Sequence, residues 1–284
     1  MNDFLATLAS LAVLVFAVTS MLSVGLGYTV REIIGPLSHA PGVLRALAAN
    51  FILVPLVGFA VTRLISLDPF LETGLLLVSM AAGAPFLVKL TQHAEHDVGL
   101  SASLLVLLLP ATVVYMPLVV PLTLPHATVS AWAIARPLVL TMLAPLAVGL
   151  LIKERFDSWA ERLRPPLGKA SSVALVVLVG GTVLANLGEI LNLFGSGAIL
   201  AAFLLVGSAF LLGYWMGGED PGIRGVLGLG TAQRNIGAAT VVATQGFADP
   251  RVLVMVVTAS LVGLTMLFPI ARTLRERAAK RAVL

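Results

Sequence analysis

Three consecutive polar side chains interrupt one of the most apolar stretches of the chain. Gln233, Arg234 and Asn235 lie within the sequence GLGTAQRNIG, residues 228–237, inside an apolar run that extends from Val226 to Val242. A cation at the centre of a bilayer costs at least ~2.5–3.5 kcal/mol on insertion scales, so a chain keeps one there for a task or with a partner. The sequence therefore predicts a functional site at Arg234.

The glycines around these side chains predict a break in the helix. Gly228, Gly230 and Gly237 are poor helix formers, each about 1 kcal/mol worse than alanine. Unwound backbone inside a membrane is tolerated only where protein buries it or where it lines a water-filled cavity. We therefore expect a broken helix whose freed backbone groups and polar side chains face a cavity. The alternative is a continuous helix in which Arg234 pairs with a neighbour or snorkels.

The composition indicates an integral membrane protein. Of the 284 residues, 58% are hydrophobic and 11% are charged, and the mean hydropathy is +1.02. Soluble domains carry about 25% charged residues. The sequence contains no cysteine, which excludes disulfides, thiolate catalysis and zinc–sulfur sites. The basic residues cluster in predicted loops, so the expected partners are the lipid bilayer and a small solute, with no nucleic acid and with the oligomeric state left open.

Nine apolar segments follow one another along the chain. The inner loop Lys153–Lys169, which contains the pair Pro165–Pro166, separates a first half (1–152, five segments) from a second half (170–284, four segments) of a single transporter unit (1–284). The first segment is predicted to be a retained span, because its start MNDF lacks the basic residues of a signal peptide. The segments cover approximately residues 5–28, 43–64, 70–88, 98–120, 132–152, 170–187, 197–216, 223–247 and 252–274.

The distribution of basic residues orients these segments. With the N-terminus outside and the C-terminus in the cytoplasm, most basic residues face inward, as the positive-inside rule requires. We expect the inner (plasma) membrane of a bacterium. The inward-facing residues are Arg31, Arg45, Lys89, Lys153, Arg155, Arg162, Arg164, Lys169, Arg224, Arg272, Arg275, Arg277, Lys280 and Arg281.

The third segment is predicted to be interrupted in the same way as the eighth. It reads AAGAPFLVKL near its end, where Gly83 and Pro85 predict a break just before Lys89. On the nine-segment topology the two interrupted segments run in opposite directions. Paired interrupted helices in inverted halves are the best sequence indication of a transporter binding site. Pro85 and Lys89 therefore join Gln233, Arg234 and Asn235 as predicted substrate-binding residues.

These stretches resemble the bile acid:sodium symporter family over nearly the whole chain. The resemblance is carried by GTAQRNIGAATVVA and AAGAPFLVKL, by YMPLVVPL in the fourth segment, and by SMLSVGLGYTVREI and NFILVP in the first two. It implies an all-α, polytopic fold with inverted repeats, in which a core domain built on two broken, crossing helices moves against a panel domain. It also implies a secondary transporter that works by alternating access, and not an enzyme.

At the positions implied to bind sodium, this chain departs from the family. Gly230 stands where sodium-coupled members carry a glutamate, and Arg234 stands where they carry a glutamine. Leu87–Val88 replaces a serine–asparagine pair, and Leu105 replaces a threonine. Sodium needs oxygen ligands, as other hard cations do, and these replacements remove them.

Other positions keep the family's polar character. Ser101 matches a serine ligand, and Asn50 stands in place of a glutamine of the second sodium site. Asn235 matches an asparagine associated with substrate contact. A sodium symporter with a reduced ion site, using Asn50 and Ser101, therefore remains an alternative.

Our hypothesis is that Arg234, with Lys89, replaces the bound sodium as a tethered cation. Like charges about 4 Å apart cost ~4 kcal/mol at an effective dielectric constant of 20, so Arg234 disfavours a sodium ion beside it. An arginine fork suits a carboxylate or sulfonate, which predicts an organic anion as substrate, with bile-acid-like amphipathic anions included. Lys89 could release its proton when desolvated, which would make H⁺ the coupling ion in place of Na⁺.

Several plainer interpretations stay open. Lys89 is equally explained as an ordinary lysine at a cytoplasmic helix end. His93 and His96 share a helix face and could bind a metal, but Glu95 and Asp97 beside them favour a solvated loop. A channel and a membrane sensor are further alternatives to a transporter. No catalytic residue, metal motif or cofactor beyond a coupling ion is predicted.

Overall fold

A computed structural model describes residues 2–34, 40–124, 130–185, 188, 193 and 195–282. Within these ranges the chain is helical and contains no strand, which confirms the all-α prediction. Single π-helical turns at Ala49–Leu53 and Val139–Leu143 join α3 to α4 and α8 to α9. In chain order the α-helices are α1 (Asn2–Gly25), α2 (Val30–Ile34), α3 (Ala40–Ala48), α4 (Val54–Leu64), α5 (Pro69–Met80), α6 (Leu87–His93), α7 (Val98–Thr123), α8 (Ala131–Leu138), α9 (Ala144–Arg155), α10 (Asp157–Ala185), α11 (Ala198–Met216), α12 (Pro221–Ala232), α13 (Ile236–Gly246) and α14 (Pro250–Ala282).

The helices coincide with the predicted apolar segments over the described residues. Five helical stretches among them are long and apolar enough to cross a membrane, and Leu11–Gly25 and Pro69–Met80 form shorter apolar helices. The third and eighth segments are each divided into two helices, as predicted. The number of nine membrane crossings stays a prediction. The five long stretches are Pro41–Leu64, Val98–Thr123, Ala131–Arg155, Ala198–Met216 and Pro250–Lys280.

The prediction of an inner loop over Lys153–Lys169 is wrong. Helix α9 continues to Arg155, and α10 begins at Asp157, so only Phe156 separates the two helices. Strong helix formers such as glutamate, arginine and leucine occupy this polar stretch, and an aspartate in the first turn favours a helix N-terminus. Charge and two prolines suggested a loop, but the segment extends α10 beyond the apolar span. The division into halves at this point stays a prediction.

The first helices of the two broken segments are built alike. Both α5 and α12 have 12 residues and begin with an aspartate N-cap followed by proline, Asp68–Pro69 and Asp220–Pro221. Each aspartate accepts a backbone N–H of the first turn, which satisfies a donor that the helix leaves unpaired. Both end on an extended residue, Ala81 (φ −90°, ψ 96°) and Gln233 (φ −76°, ψ 98°). This likeness supports an internal repeat.

The helices pack into two groups. Helix α1 packs along α9 and α10 and forms the first group, and its identity with the panel that the resemblance implies stays a prediction. The remaining long helices pack on one another: α14 lies against α5 and α11, and α12 lies against α11 and α7. Helix α13 contacts both groups, because it packs on α5 and α14 as well as on α1 and α8. The second broken segment therefore lies where the two groups meet.

The break in the eighth segment is narrower than its glycines suggested. Only residues 233–235 leave the helical conformation, and Gly228 and Gly230 lie inside α12. Their role is close packing. A Cβ on Gly228 would lie 2.9 Å from the ring of Phe210, and one on Gly230 would lie 2.5 Å from Cδ2 of Leu104. These glycines let neighbouring helices approach the site.

Candidate functional site

The two breaks are joined to each other by hydrogen bonds. The backbone N–H of Asn235 donates to the carbonyl oxygen of Ala81 at 2.9 Å, and its side-chain Nδ2 donates to the carbonyl oxygen of Gly83 at 2.9 Å. The Oδ1 of Asn235 accepts the N–H of Ala238 at 3.0 Å and so caps α13. Asn235 is 1% exposed, and both ends of its amide are used in holding the crossing together.

The first break is also supported from α7. The hydroxyl of Thr112 accepts the N–H of Ala82 at 3.1 Å and donates to the carbonyl oxygen of Ala82 at 3.0 Å. Gly83 follows with φ +74°, and a Cβ there would lie 2.7 Å from the backbone nitrogen of Leu109. The sequence analysis overlooked Thr112, although a threonine in the middle of a long apolar helix is a signal for such a role.

The guanidinium of Arg234 lies inside a ring of oxygen atoms. Its Nη1 donates to Oδ1 of Asn50 at 2.7 Å and to the carbonyl of Thr231 at 3.0 Å. Its Nη2 donates to the carbonyl of Ser79 at 2.7 Å, with a longer contact of 3.5 Å to the carbonyl of Asn50. Its Nε donates to the carbonyl of Val78 at 3.2 Å. An arginine has five N–H donors, and each has an acceptor here.

The charge of Arg234 is balanced by dipoles. Val78 and Ser79 belong to the last turn of α5, and Thr231 belongs to the last turn of α12. The carbonyl of Val78 also accepts the N–H of the C-cap residue Ala81 at 3.2 Å. Carbonyls at the C-terminal end of a helix carry partial negative charge, which favours a cation. In the described part of the chain no carboxylate forms an ion pair with Arg234. The arginine is 6% exposed, so the snorkelling alternative does not fit its position.

Asn50 supplies the remaining oxygen atoms of the ring around Arg234. It lies in the π-helical turn between α3 and α4, where the altered backbone turns its own carbonyl and side chain toward the crossing. Its Nδ2 donates to the carbonyl of Ala46 at 3.0 Å and to the hydroxyl of Thr231 at 3.3 Å. These bonds orient Oδ1 toward Arg234. Asn50 is fully buried, so all of its polar atoms act inside the protein.

Leucine side chains surround Gly230. The side chains of Leu104 and Leu87 lie 2.5 Å and 3.1 Å from the position that a Cβ on Gly230 would take. Leu87 and Leu105 are themselves buried replacements of implied sodium ligands. Ser101 is also buried, but its hydroxyl donates to the carbonyl of Val98 in its own helix at 2.7 Å. No hydrogen bond connects Ser101 to Arg234 or Asn50 within the described residues.

Lys89 lies in a separate place, in a crevice between the two helix groups. Its Nζ donates to the hydroxyl of Ser172 in α10 at 3.1 Å and lies 5.9 Å from the ring centre of Phe86. The side chain is exposed, and proton coupling through Lys89 stays a prediction. The crevice around it is lined by Phe16, Ser20, Ser23, Val24, Pro85, Phe86, Lys89, Gly168, Ser171, Ser172 and Leu175.

An adjoining apolar cavity extends this crevice toward the second break. It shares Phe16, Pro85 and Phe86 with the crevice and reaches Gln233. The predicted substrate-binding residues therefore separate into two sets. Pro85, Lys89 and Gln233 line the open space, whereas Arg234 and Asn235 are committed to the crossing. Sequence reasoning overlooked Ser171 and Ser172, whose adjacent hydroxyls at the start of an apolar segment were the available signal.

The two histidines at and after the end of α6 have different surroundings, and the expected solvated loop does not describe His96. His93 is exposed, with its ring 5.8 Å from that of Phe268. His96 packs against Gly225 of α12, and its Nε2 is buried without a hydrogen-bond partner in the described chain. Burial lowers the pKa of His96, and the nearby carboxylate of Asp220 partly opposes that shift. No cluster of three potential metal ligands occurs among the described residues.

Two broken helices that cross inside a bundle of apolar helices are an arrangement around which many membrane transporter folds are built. The model of the sodium bile acid symporter family matches residues 13–193 of this chain. The chain belongs to the sodium bile acid symporter family.

Two curated relatives of the chain are plant proteins. The chain is 26% identical over 235 residues to the probable sodium/metabolite cotransporter BASS1, chloroplastic, of Arabidopsis thaliana, covering 81% of this chain and 58% of that protein. It is 29% identical over 200 residues to BASS2, chloroplastic, of Oryza sativa subsp. japonica, which covers 69% of this chain and 47% of that protein. The chain thus spans roughly half the length of these relatives.

Proposed function

We propose that the protein is a secondary transporter of a small or amphipathic organic anion, in which Arg234 takes the place of a coupling sodium ion. The observation that carries this proposal is the ring of oxygen atoms around the Arg234 guanidinium. Carbonyl and amide oxygens converging on one cation are the type of environment that a hard metal ion also seeks. In this chain a covalently attached cation occupies it.

The residues near the crossing leave little room for an additional cation. Arg234 fills the ring with a fixed positive charge, and a second cation about 4 Å away would be repelled by ~4 kcal/mol at an effective dielectric constant of 20. The side chains of Leu87 and Leu104 fill the space beside Gly230, and neither supplies an oxygen ligand. The positive charge holds the carbonyl ends of α5 and α12 together without an ion from solution, so transport is proposed to proceed without sodium.

The substrate is proposed to bind in the crevice, with Lys89 as its counter-charge. Lys89 is exposed to this space, and the hydroxyls of Ser20, Ser23, Ser171 and Ser172 line it. Apolar side chains surround the adjoining cavity, which extends to Gln233. A site that is cationic and hydroxylic at one end and apolar at the other suits an amphipathic carboxylate or sulfonate. Movement of α1 and α10 against Pro85 and Phe86 would expose this site to alternate sides.

Sodium symport with a reduced ion site is the second candidate. The printed names of the relatives, sodium/metabolite cotransporters, favour it. In this chain Asn50, Ser101 and backbone carbonyls are the oxygens that would have to suffice.

The proposed location is the inner membrane of a bacterium, with the N-terminus outside and the C-terminus cytoplasmic, on the basis of the charge distribution.

Uptake into proteoliposomes tests the proposal. A panel of carboxylates and sulfonates is offered with an inward sodium gradient, an inward proton gradient or neither, at constant ionic strength. Exchange or accumulation of an anion without sodium is the expected result. Sodium-driven accumulation would favour the second candidate. Failure to transport any anion in the panel would contradict the proposed substrate class.

A further inference from the structure

A second open space, separate from the substrate crevice, lies beside Arg45 in α3. It is a groove between α3 and α7, closed at one side by the end of α11 and the start of α12. It holds about 770 Å³ of empty space, its open mouth included. We call it the Arg45 groove, and it is lined by Gly42, Val43, Arg45, Ala46, Leu100, Ser103, Leu104, Leu107, Met216, Gly217, Ile223 and Leu227.

The walls of the Arg45 groove suit a hydrocarbon chain. They consist of aliphatic side chains, methionine and glycine, and the hydroxyl of Ser103 donates to the carbonyl of Gly99 in its own helix. Three of the four walls are formed by membrane-spanning candidates, Pro41–Leu64, Val98–Thr123 and Ala198–Met216. An apolar groove between spanning helices is in contact with lipid, so the acyl chains of the bilayer are its most abundant neighbours.

Arg45 adds a cation at the edge of these apolar walls. It is the single charged residue of the lining, and in the described part of the chain it forms no ion pair. Asp220 is near in sequence to the Gly218 that Arg45 approaches, but its Oδ1 accepts the N–H groups of Gly222 and Ile223 at the start of α12. The guanidinium therefore keeps its donors for a group outside the chain.

The position of Arg45 matches that of a lipid headgroup. Trp215 is 74% exposed, and it lines the same open space as Arg45 and Gly218. Tryptophan at a helix end is typical of the membrane–water interface. By charge distribution this is the cytoplasmic side, where the leaflet is rich in anionic lipids. A guanidinium binds a phosphate group through paired hydrogen bonds.

We propose that the Arg45 groove binds one anionic phospholipid, with its phosphate at Arg45 and an acyl chain along α7. The chain would contact Leu104, the residue whose side chain fills the space opposite Gly230. A bound acyl chain thus braces the packing of the core next to the crossing. This site is independent of the substrate crevice, with which it shares no lining residue.

Native mass spectrometry of the purified full-length protein tests the site, with phosphatidylglycerol and phosphatidylcholine added in equal amounts. The wild type is expected to retain one phosphatidylglycerol in preference to phosphatidylcholine. Arg45→Gln should lower that preference about fivefold, the effect of one basic residue near an anionic surface. Arg63→Gln is the matched control, because Arg63 is an exposed arginine at the other end of the same segment.

A second pair of variants tests the acyl chain independently of charge. Leu107→Trp fills the groove and should reduce the retention of both lipids, whereas Leu118→Trp, on an exposed part of α7, should leave it unchanged. Equal effects of Arg45→Gln and Arg63→Gln would overturn the proposal, as would a wild type that retains both lipids equally. Displacement of the lipid by a transported anion at low concentration would also overturn it and assign the groove to substrate.

Discussion

The two cations of the broken segments occupy opposite environments. Arg234 is 6% exposed, and its donors all reach oxygen atoms of the protein. Lys89 is exposed and has one hydroxyl partner, Ser172, across the crevice. From the sequence, both residues are expected to act as one tethered cation that also binds substrate. Their surroundings assign them different roles. A guanidinium whose donors are all hydrogen-bonded to the protein stabilises the crossing of the two broken segments, whereas an ammonium group that faces open space is available to a ligand.

The difference follows from which part of each break carries the cation. Arg234 lies within the break itself, so its side chain reaches the carbonyl ends of both α5 and α12. Lys89 lies in α6, beyond its break, on a helix face that the panel helix α10 approaches. A cation between helix C-termini is stabilised by their dipoles without an acidic partner. The two broken segments thus carry similar charges in unlike positions.

The largest expected effect comes from removing the buried charge. Arg234→Gln should reduce anion uptake about 100-fold or more, since five backbone and amide oxygens lose their common donor and buried acceptors without partners cost about 1–3 kcal/mol each. Arg234→Lys restores the charge and should recover a measurable part of the activity. Uptake assays with size-exclusion chromatography separate lost transport from lost folding. Full activity of the glutamine variant in folded protein would contradict the role of Arg234.

The next effect concerns two glycines, one within the first break and one in the helix that leads to the second. Gly83→Ala should lower the stability by about 2–4 kcal/mol, because it combines a left-handed φ with a clash against the backbone of Leu109. Gly230→Ala meets side-chain atoms of Leu104 that can shift, and it should cost about 1 kcal/mol. Thermal unfolding in detergent compares the two. A larger loss at Gly230 would show that leucine packing, and not the crossing, is the less tolerant region.

The exposed cation should affect substrate affinity more than stability. Lys89→Gln is expected to raise the KM for an anionic substrate about tenfold, the equivalent of about 1.4 kcal/mol, with little change in thermal stability. Lys89→Arg keeps the charge and should retain most of the affinity. Concentration-dependent uptake gives both values. An unchanged KM in Lys89→Gln would return Lys89 to the role of an ordinary lysine at a helix end.

The smallest expected effect is a pH dependence of stability that arises at the loop after α6. Burial lowers the pKa of His96 from its ordinary value of 6.5, so the unfolded chain binds more protons than the folded chain between the two values. The neutral form of His96 contributes fully to the free energy of unfolding above about pH 6.5. This contribution is lost as the pH falls through that value toward the pKa of His96 in the folded state. A small decrease in Tm between about pH 7.5 and 5.5 is expected. His96→Gln should reduce this decrease, and an unchanged pH profile would contradict the burial of the ring.

Apolar length and the two interruptions predicted the helices and their breaks because both are local properties. Hydrophobic segments in a membrane protein must satisfy their own backbone groups, so their helical state follows from composition. The same reasoning failed at Lys153–Lys169, where polar residues extend a helix beyond the span. The low helix propensity of Gly228 and Gly230 predicts a break at these positions, but both lie inside α12, where they allow close contact with Phe210 and Leu104.

The partners of the site residues were not predictable in the same way. Arg234 lies 155 positions from Ser79 and 184 from Asn50 in sequence, and no local pattern encodes those pairings. An intramembrane arginine without an acidic neighbour indicated an unusual site, but it did not distinguish a ligand-binding fork from one whose donors are filled by carbonyls. Ser101 shows the converse, since its match to a sodium ligand did not reveal that its hydroxyl bonds to its own helix.

The measurement that tests the central claim most directly is the sodium dependence of substrate binding to the purified wild-type protein. A transported anion is titrated at constant ionic strength while sodium chloride is replaced by N-methylglucamine chloride. If Arg234 takes the place of the coupling ion, the affinity for the anion is the same in both salts, because the positive charge at the crossing is always present. An affinity that rises with sodium concentration would show that an ion from solution is still required, and would contradict the substitution of sodium by Arg234.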